Sequence, residues 1–273
     1  MKAMTESIFP ILRQAGKAIM DIYQDEGSFL TEYKNDHSPL TEADKRSNTI
    51  ICEALEKLYP DIPVISEENK QDSYAIRSGF DRYFLVDPLD GTREFIKRNG
   101  EFTINIAYLE GQHPTAGYVY IPVQRKTYIG ERGKGAWVTD EKGHTHALAT
   151  VPFYLQDKGI HVVASRSHRD VLTDRIISML NAPEIVSVGS ALKFLMIAEG
   201  RAHFYPRLAP TMEWDTAAAQ CIVEEAGGSV IRFDTRLPVT YNKENLLSPH
   251  FIAMGKLLDP ETLYQVLDGL PPG

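Results

Sequence analysis

The apolar run Tyr83-Phe84-Leu85-Val86 ends without a break in Asp87-Pro88-Leu89-Asp90-Gly91-Thr92. A short run of aromatic and branched side chains reads as a buried strand. The strand delivers Asp87 at its C-terminal end. Pro88 keeps Asp87 extended and starts a turn. That turn lets Asp90 fold back beside Asp87 and the Leu89 carbonyl turn inward. Gly91 allows close backbone approach, and Thr92 opens a helix whose amides face an anion. The motif sets hard oxygen ligands beside a phosphate cradle, as magnesium prefers. Asp, Pro and Gly also make ordinary surface turns, but the strand directly before the motif argues against that reading.

Two further segments carry acids in suggestive places. Glu67-Glu68 follows the short apolar run Pro63-Val64-Ile65, and Trp214-Asp215-Thr216 opens an alanine-rich helix. Taken singly, the first reads as a solvated acidic loop and Asp215 as a helix N-cap. Together with Asp87 and Asp90 they mean more. Two like charges about 4 Å apart repel by about 4 kcal/mol at an effective dielectric near 20, so a cluster of four acids needs divalent cations.

The rest of the pattern is mixed α and β. Apolar residues recur at helical spacing from Ile8 to Ile22, and Thr41 caps a helix that continues to Leu58. Residues 103–109, 117–121 and 126–129 read as consecutive antiparallel strands. Residues 141–158 are weakly patterned and are expected to hold a boundary between an N-terminal α+β lobe, 1–155, and a C-terminal α/β lobe, 156–273. In the second lobe, strands at 160–164 and 185–188 alternate with helices at 170–180, 191–199 and 215–226.

Composition narrows the function. Net charge is −8 over 273 residues, which disfavours nucleic-acid backbones and anionic membranes. No apolar run approaches the roughly 18 residues of a membrane span, and the N-terminus does not read as a signal peptide. The two cysteines, Cys52 and Cys221, fall in helical segments and are expected to be reduced core residues. The expected compartment is the cytoplasm, with peripheral association at the inner face of the membrane left open.

Ser66-Glu67-Glu68, Val86-Asp87-Pro88-Leu89-Asp90-Gly91-Thr92 and Trp214-Asp215-Thr216-Ala217-Ala218, with Glu225-Ala226-Gly227-Gly228, resemble the inositol monophosphatase superfamily in order and spacing over nearly the whole chain. Residues 93–103, Ser165-Arg166-Ser167-His168, Gly189-Ser190-Ala191-Leu192-Lys193-Phe194, Tyr205-Pro206-Arg207 and Tyr241-Asn242-Lys243-Glu244-Asn245-Leu246-Leu247 resemble its bacterial 3'(2'),5'-bisphosphate nucleotidase branch. The resemblance implies a layered α-β-α-β-α sandwich and a lithium-sensitive phosphatase using two or three magnesium ions. The implied substrate is adenosine 3',5'-bisphosphate, a by-product of sulfate assimilation, cleaved to AMP and phosphate by a monomer or homodimer.

By the same resemblance, Glu67, Asp87, Asp90, Asp215 and the Leu89 carbonyl would hold metal. Asp44 and Thr92, with Glu67, would be catalytic and would help deprotonate the attacking water. Gly91 and Thr92 would hold the scissile phosphate, with Glu67, Leu89, Asp90 and Asp215 around the substrate. His168, Ser190, Lys193 and Arg207 would hold the nucleotide. Two phosphates need cations for the one not held by metal, which favours Lys193 and Arg207 on chemistry alone. Each also has a plainer reading, Lys193 as a snorkelling side chain and His168 as a loop histidine. The alternatives are an inositol monophosphatase, another sugar phosphatase of the superfamily, or a non-catalytic nucleotide sensor.

Overall fold

The protein is described by a computed structural model covering residues 2–25, 31–33, 39–164 and 171–269. Helix α1 (Lys2–Gln24) buries Ile8, Ile11, Leu12, Ala15 and Ile19 on one stripe. A small hairpin, β1 (Thr31–Tyr33) with β2 (Pro39–Thr41), leads into α2 (Glu42–Leu58). Thr41 and Asp44 form a capping box at the start of α2. The Thr41 hydroxyl accepts from the Ala43 amide, and the Asp44 carboxylate accepts from the Thr41 amide at 2.7 Å.

Next come β3 (Val64–Ser66), a single turn α3 (Tyr74–Arg77), β4 (Arg82–Asp90) and α4 (Thr92–Ile96). A meander follows: β5 (Thr103–Glu110), β6 (His113–Ile121), β7 (Lys126–Glu131), β8 (Gly135–Thr139) and β9 (Thr145–Leu148). Strands β3 to β9 form one sheet in chain order, with only β3 and β4 parallel. The weakly patterned residues 141–158 contain strand β9, which the sequence reading did not assign. It is an edge strand with Thr145, His146 and Ala147 exposed, so no burial alternation marks it in the sequence.

The second sheet alternates with helices: β10 (His161–Val163), α5 (Val171–Ser178), β11 (Glu184–Val186), α6 (Leu192–Ala198), β12 (Phe204–Arg207), α7 (Ala217–Glu225), β13 (Ser229–Arg232), β14 (Phe251–Met254) and α8 (Pro260–Asp268). Its order is β11-β10-β12-β14-β13. The first three strands are parallel, and β14 runs antiparallel to both its neighbours.

Three apolar layers hold these elements together. Phe84, Val86, Ile104 and Ile106 face α1 and α2, whereas Leu85, Ala107, Leu109 and Val119 face α6 and α7. This is the two-residue alternation of a sheet covered on both sides. Tyr205, Phe251 and Ala253 close the layer around α6 and α7 from the second sheet, and Val162, Phe204 and Ile252 pack outward on α5 and α8. The result is the layered α-β-α-β-α sandwich that the resemblance implies. Each fully buried Leu, Ile or Phe contributes roughly 1.5–3 kcal/mol.

Helix α7 reaches the first sheet through two glycines paired across β6 and β7, Gly117 and Gly130. A Cβ on Gly117 would sit 2.1 Å from the Ala218 carbonyl oxygen, and one on Gly130 would sit 2.7 Å from the Ile222 Cα. Bare backbone there, with Ala217, Ala218 and Ala219 opposite, brings the start of α7 down onto the sheet. The cysteines are free and buried in α2 and α7. Among the described residues, no helix is long and apolar enough to cross a membrane.

Candidate active site

The ends of β3 and β4 bring the first two acids together. The strands are parallel with Ser66 opposite Val86, and the Glu67 amide donates to the Val86 carbonyl at 3.1 Å. Glu67 therefore sits beside Asp87. Asp90 arrives by a device the sequence does not display. Asp87 pairs with Asn105 and Asp90 with Thr103, so β4 carries one extra residue between the two pairs. In a regular strand, residues three apart point to opposite faces. The extra residue makes a bulge that redirects Asp90. Pro88, which has no amide proton to pair, fits at such a bulge. The expected turn is thus a bulged strand, in which the Leu89 amide donates to Asp87 Oδ1 at 3.0 Å.

Asp215 comes from the other side of the sequence. It lies in the turn before α7, whose N-cap is Thr216, so it is not a helix cap. Its Oδ2 accepts from the Thr211 hydroxyl at 2.6 Å and from the Met212 amide at 2.9 Å. Glu67, Asp87 and Asp215 each place a carboxylate oxygen within 4.8 Å of the others. Burial raises the Asp87 carboxyl well above the usual range, and the charges of Glu67, Asp90 and Asp215 raise it further. Burial, then Asp90 and Glu67, push Asp215 up to about 7. The charges acting on these two acids are thus other carboxylates. A set of hard, like-charged oxygens from three separate elements fits a hard divalent cation such as magnesium.

A second pair stands beside this set. Thr92 donates through its hydroxyl to Asp44 Oδ1 at 3.0 Å. The capping box holds the other oxygen of Asp44, which also accepts from the Thr41 hydroxyl at 2.5 Å. Burial raises the Asp44 carboxyl, and the hydrogen bonds from Thr41 and Thr92 oppose that rise. Gly91 precedes α4 with a φ of 95°, and a Cβ there would lie 3.0 Å from the Glu101 carbonyl oxygen and 3.2 Å from the Ser190 Cβ. Only glycine suits both the conformation and the space.

A cleft of about 390 Å³ opens on this cluster, and Asp90, Gly91 and Asp215 form part of its wall. Ser190, Lys193 and Arg207 form another part. The Lys193 ammonium donates to the Ser190 carbonyl at 2.9 Å and stands 5.9 Å from the Tyr205 ring centre. Arg207 donates from Nη2 to the Pro210 carbonyl at 2.8 Å, and its buried Nε has no hydrogen-bond partner among the described residues. Ser190 holds a φ of 53°, a conformation that costs a non-glycine residue on the order of 1–3 kcal/mol and gathers at functional sites. His168 lies outside the described residues.

Other lining residues were given no role from the sequence, although Arg93, Lys97, Phe194 and Tyr205 lie in segments that carry the resemblance. Arg93 and Lys97 both face the cleft, and their spacing of four marks one side of a helical turn. Phe194, Tyr205 and Phe251 pack together with centroids 5.3 to 5.8 Å apart, Phe194 stacked on Phe251 and Tyr205 edge-on to both, and also line it. Their periodicity is that of core residues, so nothing in the sequence separates them from the core. Thr211 is likewise silent in the sequence, since its role depends on a turn.

The model of the inositol monophosphatase family matches residues 1–265. The 3'(2'),5'-bisphosphate nucleotidase CysQ of Salmonella typhimurium is 42% identical over 254 residues, covering 91% of this chain and 98% of that protein. Its counterpart from Escherichia coli K12 is 40% identical over 253 residues, with the same coverage. Among solved structures, CysQ of Bacteroides thetaiotaomicron, described as a bacterial member of that family, superposes with a TM-score of 0.79 at 38% identity, covering 92% of this chain and 97% of that one.

Proposed function

This chain belongs to the inositol monophosphatase family, and from that premise we propose that it is a 3'(2'),5'-bisphosphate nucleotidase acting on adenosine 3',5'-bisphosphate. The products are AMP and phosphate, which would clear a by-product of sulfate assimilation. One observation carries the reading: Asp215 belongs both to the acidic trio and to the wall of a cleft whose other side presents Lys193 and Arg207. The acids suit a divalent metal and one phosphate, and the cations suit a second phosphate that metal does not hold.

Glu67, Asp87, Asp90 and Asp215, with the Leu89 carbonyl, would hold two or three magnesium ions. When bound, magnesium supplies charge neutralisation, polarisation of the phosphoryl oxygens and a lowered pKa for the attacking water. The chain's own groups do the rest. Thr92 gives its proton to Asp44, so its oxygen turns lone pairs outward and can take a hydrogen bond from water. Asp44 is fixed by Thr41 and cannot swing away. The pair can orient the nucleophile and accept its proton through the hydroxyl. The backbone at Gly91, free of a side chain, lets the ester approach closely. Lys193 and Arg207 hold the uncleaved phosphate and set the reacting one in line.

A phosphate-release assay tests the reading. The panel contains adenosine 3',5'-bisphosphate, its 5'-phosphosulfate analogue, inositol 1-phosphate, fructose 1,6-bisphosphate and AMP, with magnesium or with chelator. The highest kcat/KM is expected for adenosine 3',5'-bisphosphate, and chelation should abolish turnover. A higher kcat/KM for inositol 1-phosphate would move the protein to the sugar-phosphate side of the family. Tight nucleotide binding without turnover would make it a sensor.

A further inference from the structure

Four side chains form a continuous chain from the cleft wall to the acidic cluster. Ser190 Oγ lies 2.8 Å from Thr103 Oγ1. Thr103 Oγ1 donates to Asn105 Oδ1 at 2.9 Å, and Asn105 Nδ2 faces Asp90 Oδ2 at 3.4 Å. Thr103 and Asn105 are fully buried. Both lie on β5 opposite Asp87 and Asp90 but outside the motifs that mark the metal site, and nothing above gives their side chains a role.

The donors in this chain can be assigned from one end. A carboxylate only accepts, so Asn105 turns its amide nitrogen to Asp90 and its carbonyl to Thr103. The carbonyl only accepts, so the single Thr103 proton goes to it. The contact between Ser190 and Thr103 must then be made with the Ser190 proton. Ser190 is left with lone pairs alone toward the cleft that it lines. Phosphate oxygens are acceptors at neutral pH and gain nothing from such a group, whereas a sugar hydroxyl is a donor and does.

Position says which hydroxyl. The Ser190 Cβ lies 3.2 Å from where a Gly91 side chain would be, so Ser190 abuts the residue that lets the scissile ester approach. The sugar donor nearest a phosphate ester is the hydroxyl on the adjacent carbon.

We propose that Thr103 and Asn105 are positioning residues that commit the Ser190 proton inward, so that Ser190 accepts a hydrogen bond from the substrate hydroxyl vicinal to the scissile phosphate. This rests on the bisphosphate nucleotidase reading and sharpens its substrate class. The enzyme selects ribonucleotide 3'-phosphates over their 2'-deoxy counterparts.

The test compares kcat/KM for adenosine 3',5'-bisphosphate and 2'-deoxyadenosine 3',5'-bisphosphate in the magnesium-loaded enzyme and its variants. The full chain should favour the ribo substrate about tenfold, the size of one neutral hydrogen bond. In Ser190→Ala the ratio should fall to near one. Thr103→Val releases the Ser190 proton and should narrow the ratio, while Thr103→Ser, which keeps the hydroxyl, restores it. A folding defect lowers both substrates together and leaves the ratio alone, so Ser190→Ala decides the matter even if Thr103→Val is unstable. A wild-type ratio near one overturns the proposal and leaves the nucleotidase reading standing, as does a Ser190→Ala variant that loses both activities equally. Failure of the wild type to cleave either bisphosphate, with turnover of inositol 1-phosphate, overturns both.

Discussion

Glu213 and Asp215 are two residues apart, both acidic, and used in opposite ways. Glu213 is fully buried and pairs with the Lys243 ammonium. It also accepts from the Asn242 amide at 2.5 Å and the Lys243 amide at 3.2 Å. Burial raises its carboxyl, and Lys243 opposes the rise. Asp215 accepts from Thr211 and Met212, yet the charges that reach it are Asp90 and Glu67, and it stays at about 7. One carboxylate is compensated by the fold; the other meets only like charges, as its proposed place in a metal site requires. The first serves the second. Glu213 clamps the 242–243 backbone, and its own amide donates to the Leu246 carbonyl, so the turn carrying Asp215 is tied on both sides. Arg77 from α3 closes the clamp by donating to Asn242 Oδ1 at 2.7 Å and to the Lys243 and Glu244 carbonyls.

The sharpest way to break this comparison is Asp87→Asn. Asp87 sits at the centre of the uncompensated set, so kcat/KM for the bisphosphate should fall by more than about a hundredfold, beyond what loss of a supporting partner brings. Metal-free protein should melt no lower than wild type, because like-charge repulsion is relieved. A clear loss of metal-free Tm would put Asp87 in the compensated class instead.

Lys243→Met attacks the compensated acid. It strands the Glu213 charge in the interior, a one-sided loss that costs about 3 kcal/mol, at the low end of such cases because two backbone donors remain. At roughly 2–4 °C per kcal/mol, Tm should drop by about 6–12 °C. Pairing it with Glu213→Gln should recover part of that loss. Tm unchanged in the single variant would mean that the ion pair compensates nothing.

The role proposed for Lys193 and Arg207 on the cleft wall is to hold the ligand rather than the fold. Lys193→Ala and Arg207→Ala should each lower kcat/KM for adenosine 3',5'-bisphosphate by about ten- to a hundredfold, the range of a charge-assisted hydrogen bond of roughly 1.5–3 kcal/mol. Activity on a single-phosphate substrate should change far less. Equal losses on both substrates in folded variants would remove the reason for placing a second phosphate there.

The smallest effect concerns a third kind of acid, half-buried on α7. Burial pushes Glu224 up to about 7, and Gln220 donates to it at 2.9 Å. Its pKa is higher folded than unfolded, so its contribution to stability is complete below about 4.5 and is lost as pH rises towards 7. With magnesium present, Glu224→Gln should flatten the fall in Tm over that window by a few degrees. A curve identical to wild type would show that Glu224 is no more perturbed than a surface acid.

The sequence by itself determined what short-range physics can determine. The strand before Asp87, the Thr41 cap, the helical stripes of α1 and α2, and the run of strands from β4 to β7 all follow from periodicity and local hydrogen bonding. Four acids in three short motifs were enough to raise the idea of a metal site. Edge strand β9 escaped because an exposed strand has no apolar alternation. The remainder was decided by contacts between distant segments. An extra residue in β4 turns Asp90 through its pairing with β5, glycines on β6 and β7 let α7 approach, and Lys243 neutralises Glu213 from thirty residues away. Thr103 meets Ser190 across 87 residues of chain. Composition and spacing describe each residue among its neighbours in sequence. The protonation, direction and compensation of a side chain are set by what the fold packs against it.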